Sequence, residues 1–306
     1  MSAAPSHLSE GAAAYLSDPD QLEYPDDWTD PWCVQEFRDL TNTLWAGANE
    51  SIDFDYDVVA DAIDGVPVER ITIPSRTPGT DAVIMHLHGG MFCLGTPEID
   101  RVLNAPLARS TGLEVISVDY RLAPEHPCPA AIEDAIAVYE RISQEQRVIL
   151  VGESAGGGLA AACAVAARDK ALRPPEALVM LSPMLDLTGG SDTYATLPGA
   201  DPDYGDTSAL LGPAAAYAGQ IELDDPRVSP LAGDLDGLPP TLIQVGNREV
   251  LLGDSTRFAR KARSAGVDVQ LEVQDAGWHN YPIWYGVPEA DAAVASISTF
   301  ITEALA

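Results

Sequence analysis

The chain has 306 residues, of which 46% are hydrophobic and 21% charged, a balance typical of a globular protein with a substantial core. Its 47 acidic residues outnumber 17 basic ones, for a formal net charge of −30. Such a charge repels other polyanions, so nucleic acid and membrane surfaces are excluded as expected partners.

The sequence lacks the features of exported or disulfide-bonded proteins. Residues 1–20 have neither the basic nor the apolar region of a signal peptide, and no run of 18 apolar residues occurs. The four cysteines are far apart and include no CxxC pair, which is typical of reduced thiols. We therefore expect a cytoplasmic protein.

Taken in chain order, the first 50 residues are acidic and aromatic, with one helix-like piece at 34–47. From residue 66 onward, β-like and helix-like segments alternate. Strands are predicted at 66–74, 81–88, 113–120, 147–152, 177–183, 241–246 and 267–274. Helices are predicted at 98–111, 129–144, 155–170, 254–265 and 288–305. This alternation predicts an α/β fold whose mostly parallel sheet is covered on both faces.

Two segments interrupt the alternation, residues 1–50 and residues 186–225. We expect both to form a lid over one end of the sheet, and ordinary surface decoration is the alternative. Ligands of such sheets bind at the carboxyl ends of the strands. Functional residues are therefore expected directly after strands.

The stretch VGESAGGG places Ser154 between two glycines, after a predicted strand and before a predicted helix. The G-x-S-x-G pattern alone is weak, but this context is the one that a nucleophile elbow requires, because the tight turn holds the hydroxyl out at the end of the sheet. Gly152 and Gly156 would let the strand and helix backbones approach closely. The alternative is a glycine-rich turn with a capping serine.

A second stretch, HLHGGMFCLG at 86–95, also follows a predicted strand. A glycine pair there can direct successive N–H groups into one cavity. The amides around Gly89, Gly90 and Met91, together with that of Ala155 at a helix start, are therefore predicted to form an oxyanion hole. A plain loop is the alternative.

A serine nucleophile needs a base, and His279 lies just past the strand at 267–274. Of the other histidines, His7 lies in the N-terminal tail and His86 inside a predicted strand. His88 lies in the glycine turn and His126 in a proline-rich loop. None of these places suits a base as well. His279 is therefore the predicted base.

The acid of a triad is expected after the strand at 241–246. Glu249 lies three residues past that strand, with a side chain long enough to reach back. Asp254 is the competing candidate, but it opens a predicted helix, where an aspartate has a role as N-cap. With Glu249 as acid, the chain order Ser154, Glu249, His279 is nucleophile, acid, base, as in α/β-hydrolases.

Six motifs, spread over roughly residues 80 to 285, carry a resemblance to a known family. They are HGGMF (88–92), DYRLAPEHPCPAAIEDA (119–135), GESAGGG (152–158), DPRVSPL (225–231), GLPPTLIQVG (237–246) and WHNY (278–281). Together they resemble the hormone-sensitive-lipase-like esterases of the α/β-hydrolase superfamily. The resemblance implies an α/β-hydrolase fold, with an eight-stranded, mostly parallel sheet flanked by helices and a small helical cap. Residues 1–50 would be an N-terminal cap segment and residues 51–306 the catalytic domain, with a cap insertion at about 186–225.

Three positions depart from the family pattern. Met91 stands where a third glycine is usual. Glu153 replaces the common aspartate before the serine and is expected to keep the negative charge of that aspartate. Arg248 stands where many relatives carry the catalytic aspartate, so the acid stays open between Glu249 and Asp254.

The resemblance implies a serine carboxylesterase that hydrolyses short- to medium-chain acyl esters through Ser154, Glu249, His279 and a covalent acyl-enzyme. The expected partner is a small-molecule ester, and neither a cofactor nor a metal ion is expected. Candidates for the substrate pocket are Met91 and five aromatic residues, for which core packing is the alternative: Phe92, Trp278, Tyr281, Trp284 and Tyr285.

Two other functions remain open at this point. A lactonase or an amidase would use the same triad. A non-catalytic binder of small ligands is the other alternative, which the presence of both Ser154 and His279 disfavours. The oligomeric state is also open, with a homodimer among the options.

Overall fold

The computed structural model describes residues 6–17, 22–74 and 81–306. The strands are β1 (Asp57–Ile63), β2 (Val66–Thr72), β3 (Ala82–Leu87), β4 (Glu114–Val118), β5 (Arg147–Glu153), β6 (Ala177–Leu181), β7 (Thr241–Gly246) and β8 (Val269–Gln274). The α-helices are α1 (Glu10–Ser17), α2 (Pro31–Ala46), α3 (Arg101–Thr111), α4 (Ala130–Ser143), α5 (Ala155–Asp169), α6 (Thr193–Thr196), α7 (Ser208–Ala218), α8 (Leu252–Ser264) and α9 (Pro288–Leu305).

The eight strands form one sheet in the order β1-β2-β4-β3-β5-β6-β7-β8. The pairs β1–β2 and β2–β4 are antiparallel, and from β4 to β8 every neighbouring pair is parallel. The predicted α/β-hydrolase fold class is confirmed. The seven strands predicted from the sequence correspond to β2 through β8, whereas β1 was missed because only Ile63 of its seven residues is buried.

Both faces of the parallel part are covered, which explains its continuous apolar strands. In β3, Val83 and Met85 pack in one core cluster with residues of α4, α5 and α8. Ile84, which points to the other face, packs with residues of α3 and α9. Because successive side chains of a strand point to opposite faces, a strand buried on both sides carries no polar alternation.

The strand register brings the loops that carry the candidate residues to one edge of the sheet. Leu87 pairs with Gly152, Glu153 with Leu181, and the ends of β7 and β8 pair with each other. The segments that follow β3, β5, β6, β7 and β8 therefore begin side by side. This common edge is the carboxyl edge at which a site was expected.

The two irregular segments lie against different parts of this framework. In α1, Ala12 and Leu16 are buried in a small cluster with Trp278 and Tyr281. In α2, the buried Arg38 donates hydrogen bonds to Glu125. Helix α7 lies against Trp28, since a Cβ on Gly212 would be 2.5 Å from its ring. In the described residues, no helix combines the length and apolar character needed to cross a membrane.

Candidate active site

Ser154 occupies the turn between β5 and α5, with φ 54° and ψ −120°. The turn is tight because the flanking backbones nearly touch: a Cβ on Gly156 would be 2.0 Å from the carbonyl oxygen of Leu87, and one on Gly152 would be 2.3 Å from the carbonyl oxygen of Gly156. Only glycine fits at these two positions. The sequence context therefore yields the sharp strand-to-helix turn that was expected.

A chain of hydrogen bonds links Ser154, His279 and Glu249. The hydroxyl oxygen of Ser154 lies 3.1 Å from Nε2 of His279, and Nδ1 of His279 lies 3.0 Å from Oε2 of Glu249. All three residues are buried, at 2%, 8% and 0% exposure. The structure thus brings together the three residues that the sequence nominated as nucleophile, base and acid.

The other carboxylate oxygen of Glu249 is also held in place. Oε1 accepts hydrogen bonds from the Ser182 hydroxyl, at 2.7 Å, and from the Gly246 amide, at 2.6 Å. The Ser182 hydroxyl oxygen in turn accepts a hydrogen bond from the backbone N–H of Asn280, at 3.0 Å. Ser182 follows β6, so the rule that functional residues follow strands also applies to it, although the sequence analysis did not single it out.

The environment shifts the pKa of both titratable members of this chain. Burial raises the pKa of Glu249, and its hydrogen bond to His279 opposes this shift. Burial lowers the pKa of His279, but the hydrogen bond to Glu249 and the negative charges of Glu249, Asp203 and Asp201 outweigh burial and raise it above the ordinary value. The imidazolium form is therefore stabilised at this position.

Asp254, the competing candidate for the acid, lies outside this chain of hydrogen bonds. Its Oδ2 accepts from the amides of Leu185 and Asp186, at 3.0 and 2.9 Å, in the segment after β6. The expectation that it caps its own helix is wrong, because α8 begins at Leu252 and has no side-chain cap. Asp254 instead ties the start of α8 to the polypeptide that leaves the sheet.

The glycine turn after β3 differs from the expected oxyanion hole at its first position. The N–H of Gly89 donates to Oε1 of Glu153, which competes with its predicted role in binding an oxyanion. The amides of Gly90 and Met91 have no acceptor among the described residues. Ala155 is the first residue of α5, and first-turn amides have no partner within their own helix.

Met91 adopts a backbone conformation that glycine adopts more readily than other residues. Its φ is 57°, in the left-handed region that residues with a Cβ seldom adopt, and Phe92 follows with φ 61°. Gly90 has φ 109°, and a Cβ on it would be 2.3 Å from the Leu94 carbonyl oxygen. The turn therefore accommodates a residue with a Cβ in a conformation that favours glycine. As expected, His88 is part of this turn, with Nδ1 2.7 Å from the Gly89 carbonyl oxygen.

Glu153, His86 and Asp100 form a buried cluster beneath the glycine turn. Their ligand atoms lie within 4.8 Å of one another, and one nitrogen with two carboxylates is a donor set that could hold a divalent cation. Two of these atoms already contact each other, since His86 Nε2 lies 2.7 Å from Glu153 Oε2. Burial raises the pKa of Glu153 to about 8, which disfavours the negative charge expected at this position.

A cavity of about 490 Å³ is lined by Ser154 and His279. Met91, predicted for the substrate pocket, also lies in its wall. The wall includes residues from α1, from the segment 22–51 and from the segment 186–225. The reactive groups thus face a space that the two irregular segments help to enclose.

Two of the five aromatic candidates, Trp284 and Tyr285, also line this cavity, whereas the other three lie in the core and are not among the described residues of its wall. Phe92 stacks on Tyr217, with ring centroids 3.9 Å apart. Trp278 and Tyr281 are buried with α1 at 1% and 3% exposure. Of the two readings that the sequence left open, the structure places these three residues in core packing.

Several cavity residues were missed by sequence reasoning. They are Tyr15, Asp100, Asp203, Tyr204 and Asn280. Asn280 directly follows the predicted base and was within reach of the strand-end rule. The others come from a short helix, a helix start and an irregular segment, where no periodicity marks them.

Comparison with known proteins bears on the family predicted from the motifs. A family model described as the alpha/beta hydrolase fold matches residues 84–283. The chain is 41% identical to an esterase of Acinetobacter venetianus, over 72% of this chain and 74% of the relative. It is 37% identical to an acetyl-hydrolase of Streptomyces hygroscopicus, over 76% and 78% of the two chains.

Solved structures agree with the sequence relatives. An esterase from the bacterial hormone-sensitive lipase family matches with a TM-score of 0.84 at 32% identity, covering 97% of this chain and 96% of that one. Another, the esterase E25, has a TM-score of 0.90 at 28% identity and covers 99% of this chain and 96% of that one. The family predicted from the motifs is confirmed: the chain belongs to the α/β-hydrolase superfamily, among the esterases of the bacterial hormone-sensitive-lipase family.

Proposed function

We propose that the protein is a serine carboxylesterase that hydrolyses short- to medium-chain acyl esters. The observation that carries this proposal is the hydrogen-bonded chain from Ser154 through His279 to Glu249, at the edge of a cavity of about 490 Å³. A nucleophile, a base and a residue that orients the base are the minimum set for acyl transfer.

In the first half of the reaction, Nε2 of His279 accepts the Ser154 proton while Oγ attacks the ester carbonyl carbon. Glu249 accepts the Nδ1–H, which keeps Nε2 free as the acceptor and stabilises the imidazolium. The tetrahedral intermediate then collapses, and the alcohol leaves with the proton from His279. The product of this half is an acyl group esterified to Ser154.

In the second half, His279 takes a proton from water, and the resulting hydroxide attacks the acyl carbonyl. Collapse of the second intermediate releases the carboxylic acid and returns the proton to Ser154. The developing oxyanion in both halves is bound by the amides of Gly90, Met91 and Ala155. This set replaces Gly89 with Met91, because the Gly89 amide is engaged by Glu153.

We also propose that residues 1–50 and 186–225 act as the cap of a catalytic domain spanning residues 51–306. The support is that both segments contribute to the cavity wall, through Tyr15 and Tyr24 from the first and Asp203 from the second. A wall built this way bounds the acyl and alcohol groups and excludes bulk water from the reacting carbonyl.

The experiment is hydrolysis of p-nitrophenyl butyrate by the native protein, by Ser154→Ala and by Ser264→Ala. Ser264 is an exposed serine of α8 and serves as the matched control. We expect Ser154→Ala to lose activity by about 10⁴-fold or more, with the control unchanged. Lactone and anilide analogues in the same assay separate esterase from lactonase and amidase activity. A native protein inert on esters from acetate to hexanoate would overturn the proposal.

A further inference from the structure

Three residues of the cavity wall each have a buried oxygen atom that lacks a hydrogen-bond donor. The atoms are Oδ2 of Asp100, Oδ2 of Asp203 and Oδ1 of Asn280, none of which has a partner among the described residues. All three residues line the same cavity as Ser154 and His279. An unpaired buried acceptor is costly, so three around one cavity point to a ligand that supplies donors or positive charge.

The rest of the wall has the composition of a site for cations. No lysine or arginine is found among the described residues that line the cavity. Aromatic rings make up much of the wall, from Tyr15, Tyr24, Trp45, Tyr204, Trp284 and Tyr285. Rings that carry negative charge on their faces, combined with carboxylates, are the arrangement that recognises ammonium groups.

We propose that the substrates of this esterase are esters that carry an ammonium group, with Asp203 as the carboxylate that binds the cation. This inference rests on the proposed ester hydrolysis and names its substrate class. The overall charge of −30 acts in the same direction, since it draws cations toward the protein.

Asp203 is placed to bind a cation beside the reacting groups. The Tyr15 hydroxyl donates to its Oδ1, whereas Oδ2 is buried and has no hydrogen-bond partner among the described residues. The neighbouring Tyr204 packs edge-on against the His279 ring, with centroids 5.0 Å apart. A cation at Asp203 would therefore lie close to His279, within the length of a small ester.

Asp203 is preferred to Asp100 because the two carboxyl groups differ in charge. Burial raises the pKa of Asp100 well above its ordinary value, which favours its neutral form. Burial raises the pKa of Asp203 only to about 7, and the charge of His279 opposes that rise. A bound ammonium group shifts Asp203 further toward its ionised form.

The test compares cationic esters with neutral esters of the same shape. With the charge on the alcohol side, the pair is butyrylcholine and 3,3-dimethylbutyl butyrate. With the charge on the acyl side, the pair is ethyl 4-(trimethylammonio)butanoate and ethyl 5,5-dimethylhexanoate. We expect kcat/KM to be about tenfold or more higher for the cationic member of at least one pair.

Variants then locate the source of the preference. Asp203→Asn keeps an oxygen for Tyr15 and removes the charge, and should reduce the preference to about one. Asp192→Asn is the matched control, because Asp192 is exposed, lies in the same segment and makes no capping bond with its side chain. Taking the ratio of the two esters cancels any general effect of a variant on catalysis.

A second test uses the native protein without variants. Choline should inhibit its hydrolysis of p-nitrophenyl butyrate competitively, and more strongly than 3,3-dimethylbutanol does. Equal kcat/KM values within both pairs would overturn the inference while the esterase function stands. A preference that survives Asp203→Asn would overturn the assignment to Asp203. If none of these esters nor p-nitrophenyl butyrate is hydrolysed, the proposed function itself fails.

Discussion

At the scale of single residues, Ser154 is held in a conformation that residues with a Cβ disfavour. Its amide donates to the Leu181 carbonyl oxygen at 2.8 Å, and its own carbonyl oxygen accepts from Gly158 and Met184 at 3.2 and 2.9 Å. These bonds come from β6, from α5 and from the segment after β6. Hydrogen bonds from three segments therefore hold the strained turn, and the Ser154 hydroxyl is left to contact His279.

Substitution of the two candidate acids should affect different properties, catalysis for Glu249 and stability for Asp254. Glu249→Gln preserves the size of the side chain but removes the charge that orients and stabilises His279, so kcat for p-nitrophenyl butyrate should fall by about 10³–10⁴-fold. Asp254→Asn weakens the bonds to Leu185 and Asp186, so it should lower the free energy of unfolding by about 1–3 kcal/mol. Steady-state kinetics and thermal denaturation of both variants check this, and a larger kcat loss in Asp254→Asn would refute the assignment of Glu249.

The pH dependence of catalysis follows from the raised pKa of His279. Only neutral His279 accepts the Ser154 proton, so kcat/KM should rise with pH and reach half its maximum above the ordinary histidine value of about 6.5. Because the Asp203 charge favours the imidazolium, Asp203→Asn should move this midpoint to lower pH, while Asp192→Asn should leave it in place. A midpoint that does not respond to Asp203→Asn would contradict this electrostatic account.

At the scale of elements, α1 and α2 are attached to different partners. Ser9 precedes α1 and donates twice to the Glu289 carboxylate of α9, at 2.8 and 2.6 Å. Arg38 of α2 donates to Glu125 and to the carbonyl oxygen of Cys93, in the glycine turn after β3. Helix α2 therefore contacts the oxyanion region, whereas α1 carries Tyr15 to the cavity wall.

Loosening α1 should affect substrate binding more than folding. Ala12 is fully buried in the small cluster with Trp278, which is separate from the two clusters that cover the sheet. Ala12→Asp places a charge there and should release α1, so KM for p-nitrophenyl butyrate should rise by about fivefold or more. Ala14→Asp makes the same change on the exposed face of α1 and is the control. An unchanged KM in a folded Ala12→Asp protein would show that α1 is dispensable for the cavity.

At the scale of the whole molecule, the sequence specifies the sheet and its loops better than the cavity. Apolar runs marked β3 to β7, because strands buried on both faces need them. Alternation of apolar and polar residues marked β2, which is buried on one face. The antiparallel β1 escaped detection because its residues are mostly exposed. Strand ends marked Ser154, Glu249 and His279, since parallel strands bring their carboxyl ends to one edge.

The cavity wall could not be predicted in the same way. Asp100 and Asp203 reach it from a helix start and an irregular segment, where the sequence has no period. Whether the Gly89 amide is engaged depends on the position of the Glu153 side chain, which local sequence does not encode. Trp278 lies beside the predicted base in the chain, yet its ring is buried against α1. Contacts between distant segments decide each of these cases.

The most direct test of the central claim is covalent labelling of Ser154 by paraoxon. Attack by an activated serine forms a bond from Oγ to phosphorus and releases p-nitrophenolate, so intact-protein and peptide mass spectrometry report the site. We predict one diethylphosphoryl group per chain, located on Ser154 and absent from Ser154→Ala. No adduct, or an adduct on another hydroxyl such as that of Ser182, would contradict the assignment of Ser154 as the nucleophile.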